Sequence, residues 1–77
     1  MIIMTHRGKR TEHPTIAAAS ADFSEKRDAS GEGASTFPNA ELYAADGTTY
    51  LGYVSYNGRT WQGRAKDWKP GAPELKD

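Results

Sequence analysis

A chain of 77 residues allows one domain, and a domain this short buries only about 60% of the surface its unfolded chain exposes, which leaves no room for a core beside a deep catalytic cleft. With no cysteine there is neither a disulfide nor a thiolate zinc site, so burial must hold the fold without the staples common in small chains. Formal net charge is zero, which excludes a strongly basic nucleic-acid binder and a strongly acidic mimic alike.

The zero hides an uneven map. Residues 1–10 carry Arg7, Lys9 and Arg10 and no acid. Residues 11–58 carry seven acids against Lys26 and Arg27, and residues 59–69 carry Arg59, Arg64, Lys66 and Lys69 against Asp67. Such a chain can meet a partner through either sign of charge, or simply keep itself soluble. The opening MIIMTHRGKR puts apolar residues before basic ones, the reverse of a secretory signal, and no apolar run approaches the roughly 20 residues of a membrane span. We expect a soluble cytoplasmic protein.

In chain order, residues 1–13 read as a mobile basic arm, in which Ile2 and Ile3 are the pair able to dock as a short first strand. Pro14 suits a helix start. The alanine-rich stretch TIAAASADFSEKRD then predicts a helix over about 14–28, with a strand as the alternative, and Gly31 as its stop. Ile16, Ala19 and Phe23 share one helical face. DASGEGASTFPN is a loop by composition.

The middle of the chain is clearer. Asp46-Gly47 and Asn57-Gly58 are leading two-residue hairpin turns, because Asn, Asp and Gly tolerate the positive φ that such turns require. They predict a three-stranded antiparallel meander over about 39–45, 48–56 and 59–66. The fold class is therefore α+β, mainly β, with the N-terminal segment packed on one face. The domain spans 14–68, and residues 69–77, with two prolines, form a flexible tail.

Counting outward from two-residue turns pairs Tyr43 with Tyr50, Leu42 with Leu51, Val54 with Trp61 and Gly52 with Gly63. Opposed residues share a face. Tyr43, Tyr50, Val54, Tyr56 and Trp61 then gather on the core face. Leu42, Leu51, Tyr53, Thr60, Gln62, Arg64 and Lys66 fall on the face that meets solvent or a partner. A one-residue bulge, favoured at the glycines, would swap these assignments locally.

Motifs for chemistry are missing. GEGAS lacks the lysine and the spacing of a phosphate-binding loop. His6 and His13 sit apart in the polar arm without the close partners of a metal site. No serine lies in a nucleophile elbow, and Asp22, Glu25 and Asp28 read as a solvated helix face. We expect no enzyme, no cofactor and no metal.

The density of rings and cations is the functional signal. Tyr53, Tyr56, Arg59, Gln62, Arg64, Lys66 and Trp68 are the candidate partner-binding residues, because Tyr, Trp and Arg dominate interface hot spots. The alternative is a small nucleic-acid-binding β module that stacks bases on its basic aromatic face.

In size, in lacking cysteine and catalytic motifs, in uneven charge and in the meander ELYAADGTTYLGYVSYNGRTWQGR, the chain resembles the small anti-defence proteins of phages, anti-CRISPR proteins among them. That resemblance implies an inhibitor that blocks a host nucleoprotein complex by protein contact, in the host cytoplasm.

Overall fold

The computed structural model describes residues 1–33 and 35–75. Strands β1 (Ile2–His6) and β2 (Lys9–His13) are followed by helix α1 (Ile16–Ser30), then by β3 (Ala40–Tyr43), β4 (Tyr50–Val54) and β5 (Thr60–Gln62). The α+β, mainly β class is as expected, but the sheet has five strands rather than three. Its order is β2-β1-β3-β4-β5, antiparallel throughout, so β3 is central.

The first 13 residues form a hairpin rather than a mobile arm. Ile2 pairs with His13 and His6 with Lys9, leaving Arg7-Gly8 as a two-residue turn with φ of 53° and 79°. Arginine disfavours positive φ. Here it is held from outside: its guanidinium donates to Glu32 Oε1 at 2.7 Å and to the Thr36 carbonyl at 3.0 Å, and it lies 4.9 Å over the Phe37 ring. Those contacts come from about 25 residues downstream, so the turn has no local signature.

Helix α1 starts one residue after Thr15, whose hydroxyl accepts the Ala18 N–H at 3.1 Å, so Pro14 precedes the cap rather than entering the helix. It ends at Gly31, in the left-handed conformation at φ 70°. Ile16, Ala19 and Phe23 are its buried residues. They close on Met4, Phe37, Ala40, Leu42 and Val54, with Ile2, Leu51, Tyr56 and Leu75 packed at the margin.

The meander is present, but both turns differ from two-residue loops. At the first, Ala44 donates its N–H to the Thr49 carbonyl at 2.9 Å, so residues 45–48 make a longer loop. Tyr43 still meets Tyr50, as expected, but the register shifts immediately, and Leu42 meets Gly52 instead of Leu51. At the second, Ser55 and Arg59 close the hairpin, with Gly58 at φ 87°, and three residues span the turn. Tyr53 therefore pairs with Trp61, and Val54 with Thr60. Gly52 meets Gln62, not Gly63.

These two one-residue shifts exchange the faces. Leu42 and Leu51 turn toward α1, while Tyr43, Tyr50 and Trp61 turn away. Val54 and Tyr56 stay on the helix side, as expected. The tail also differs from a free one as far as Leu75. Gln62 donates to the Pro73 carbonyl, Leu75 donates to the Thr60 carbonyl, and Trp61 bridges Glu74. The last two residues of the expected tail lie outside the described residues.

Asp46 organises the first turn. Its Oδ1 accepts the N–H groups of Thr48 and Thr49, each at 2.9 Å, and its Oδ2 accepts the Thr49 hydroxyl at 2.6 Å. These donors, the Thr49 hydroxyl first, hold the carboxyl at about 2, below its usual 3.8. Between those values the unfolded chain binds more protons, so acid favours unfolding there. The stabilisation is complete above pH 3.8 and lost as pH falls through about 2. The Thr48 and Thr49 amide resonances are expected to titrate together with a midpoint near 2, and an Asp46→Ala variant should lack that part of the acid destabilisation. A midpoint near 4 would contradict this geometry.

Candidate functional site

Among the described residues no α-helix or second sheet covers the sheet face turned away from α1; only the segment beyond β5 folds over part of it. Alternation places Ile3 and Thr5 of β1, Glu41 and Tyr43 of β3, Tyr50 and Tyr53 of β4, and Trp61 of β5 on it. The register shift beside Leu51 is what puts both Tyr50 and Tyr53 there, an odd number of positions apart. Tyr53 is 4% exposed and Ile3 6%, so the face has its own small apolar floor.

The rings pack edge to face. Tyr43 and Tyr50 are 5.5 Å apart at 81°, and Trp61 and Trp68 are 5.7 Å apart at 79°. Beyond β5 the chain folds back over them. The Tyr50 hydroxyl donates to the Gly63 carbonyl at 3.1 Å, and the Arg64 guanidinium lies 3.7 Å over the Tyr50 ring. Trp68, leaning on Trp61, is 44% exposed.

Glu41 sits in the central strand among these rings, with its Oε2 buried and accepting no hydrogen bond among the described residues. Burial first, and then this neighbouring carboxylate, push the pKa of the Tyr50 hydroxyl up, and the same two causes raise that of Tyr53. Both phenols stay protonated donors near neutral pH. A carboxylate, two phenols and a cation over a ring give the face polar groups on an apolar base.

Of the seven residues singled out from sequence, Tyr53, Arg64 and Trp68 come together on this face. Lys66 is exposed nearby in the short 3₁₀ turn Ala65–Asp67. Gln62 is exposed on the last strand, its backbone tied to Pro73. Tyr56 lies on the other side of the sheet: its hydroxyl donates to the Glu32 carbonyl at 2.8 Å, and Arg27 lies 5.5 Å over its ring. Arg59 is exposed at the second hairpin, 3.9 Å from Glu74. Tyr43, Tyr50 and Trp61 belong to this face rather than to the core side expected for them, and Glu41 lies among them. The bulge beside Gly52 was the signal that could have moved Tyr43, Tyr50 and Glu41, and the length of the second turn is what moves Trp61.

The histidines do not converge. His6 and His13 occupy opposite ends of the first hairpin; the His6 Nε2–H donates to the Pro38 carbonyl, and His13 bonds the Thr11 hydroxyl at 2.9 Å. Among the described residues no group of three or more His, Asp or Glu could hold a metal, and no helix is long and apolar enough to cross a membrane.

Fold and face together define a class: a small α+β domain in which α1 covers one side of an antiparallel sheet and the other, aromatic side is only partly covered by the segment beyond β5. No protein-family model, curated protein or solved structure matches the chain.

Proposed function

We propose that this is a non-enzymatic binding protein that acts by protein–protein contact through the helix-free aromatic face of its sheet. The observation that carries this reading is Glu41 in the central strand, surrounded by Tyr50, Tyr53 and their neighbouring rings. A carboxylate at the centre of the face repels a phosphate backbone but suits a partner's N–H or ammonium donor. Ring packing points the same way. Base stacking needs open ring faces, whereas Arg64 covers Tyr50 and Tyr53 is buried. Clustered Tyr, Trp and Arg around a desolvated centre is the usual composition of an interface hot spot.

The finer reading is that the partner belongs to a host defence nucleoprotein complex, such as a CRISPR effector, and that the protein is a phage or mobile-element inhibitor. It rests on size, composition and architecture. The second reading, a nucleic-acid module, is favoured by the exposed Arg64, Lys66 and Lys69 beyond β5.

A lysate pull-down separates these. Immobilised wild type is expected to retain a saturable protein partner after nuclease treatment. An Arg64→Ala/Trp68→Ala variant, altered at exposed positions and checked for fold by circular dichroism, should bind about thirtyfold more weakly, the scale of about 2 kcal/mol for a hot-spot pair. Retention that vanishes with nuclease and falls steeply with salt assigns the second reading. Equal retention by both proteins would eliminate this face as the contact surface.

A further inference from the structure

A second recognition feature lies on the opposite side of the sheet, where α1 leaves the first hairpin uncovered. Met4 pairs with Thr11 and His6 with Lys9, and both pairs point toward the helix side. Between them and the last turns of α1 lies a cleft of about 210 Å³. Met4 and Phe37 supply apolar walls, and Arg7, Lys9 and Lys26 stand around it.

We infer that this cleft binds a small organic monoanion: a carboxylate carried on a ring-sized apolar body. No carboxylate is among the lining residues, and the cations are not equally engaged. Arg7 is paired with Glu32 at 2.7 Å, and Lys26 Nζ lies 3.0 Å from Asp22 Oδ2. Lys9 is exposed and has no acidic partner among the described residues. Three cations against two carboxylates leave one positive charge, which one carboxylate balances.

Size sets the rest of the ligand. A cavity of about 150 Å³ with apolar walls holds a benzene molecule. The present cleft accepts such a ring and leaves room for the anionic group at the rim. It is smaller than the roughly 300 Å³ at which drug-sized sites begin, so it matches a small ligand better than a nucleotide. Arg7 is held in place by Glu32, the Thr36 carbonyl and the Phe37 ring, so its position needs little ordering on binding.

The carboxylate has two sources, a free small acid or the C-terminus of a chain ending in an aromatic residue. Benzoate, benzamide, N-acetylphenylalanine and its amide distinguish them when titrated into the ¹⁵N-labelled full chain at low salt. Benzoate is expected to saturate with a dissociation constant of about 1 mM, as suits a fragment-sized ligand. The shifts should centre on Met4, His6, Lys9 and Lys26. Benzamide should bind at least tenfold more weakly. Lys9→Gln should weaken benzoate about tenfold and Lys9→Arg should restore it, while Trp68→Ala should leave it unchanged, so this result is independent of the open face. Tighter binding of N-acetylphenylalanine than of benzoate identifies a chain terminus, and weaker binding a free acid; both uphold the site. Equal binding of acid and amide, absence of saturation, or an unaffected Lys9→Gln variant overturns it.

Discussion

Phe23→Ala is expected to lower folding stability by about 3–5 kcal/mol, the usual result of deleting a buried aromatic. Phe23 has no exposed surface and is the largest fully buried side chain. Its ring meets Phe37 edge-on at 5.2 Å and His6 at 5.3 Å. With Ile16 and Ala19 it makes up the whole buried stripe of α1, so no neighbouring large residue on the helix takes over its contacts. Small domains sit near the bottom of the usual range of about 5–15 kcal/mol, so this loss leaves most molecules unfolded or close to it at 37 °C. Urea unfolding followed by far-ultraviolet dichroism measures the change. Substituting the exposed Ala21 with serine, on the opposite side of the helix, should move the midpoint far less. A loss under about 1 kcal/mol for Phe23→Ala would mean that the helix is not what closes the core.

Gly52→Ala is expected to cost about 3 kcal/mol and to disturb the open face as well. Gly52 is buried in β4 opposite Leu42 on one side and Gln62 on the other. A β-carbon placed there falls deep inside contact distance of the Trp61 carbonyl oxygen, 3.0 Å from its carbon and 3.2 Å from the Gln62 Cα. All three atoms are backbone, so no rotamer change relieves the clash. Strand β5 must move, and with it go ladder hydrogen bonds and the seating of Trp61 against Trp68. Amide exchange in β4 and β5 should accelerate while the β1–β2 hairpin stays protected, and tryptophan fluorescence should shift toward that of exposed rings. If instead the variant melts like wild type with unchanged fluorescence, the close approach of β5 to Gly52 is not a feature of the folded protein. The substitution also tests the proposed function, because partner binding should fall although no contact residue is changed.

The structure locates the limits of sequence reading in particular residues. Asp46-Gly47 and Asn57-Gly58 marked the turns because positive φ is a local requirement with few solutions, and Gly47 and Gly58 do adopt it, at 74° and 87°. The alanines, Gly31 and the Ile16, Ala19, Phe23 spacing marked the helix for equally local reasons, whereas Thr15 rather than Pro14 proved to be its cap. What the same residues left open was the length of each turn. One residue more in the second turn, and one extra residue in β4, reversed which rings face the helix, because side chains alternate with a period of two. The candidate face was therefore legible as a set of rings and cations but not as a surface.

By itself, then, the sequence determined the positions of the Asp46-Gly47 and Asn57-Gly58 turns and the α+β, mainly β class, and it favoured a helix with its buried stripe over a strand at 14–28. These follow from backbone preference and period, which act over a few residues. Only the tertiary structure decided that residues 1–13 are two strands, since Arg7 holds its unfavourable φ through Glu32, Thr36 and Phe37 far along the chain. It likewise decided that the tail is tied to β5 as far as Leu75 and that Tyr43, Tyr50 and Trp61 line the open side. Each of these depends on contacts between segments distant in sequence, whose energy no local pattern encodes.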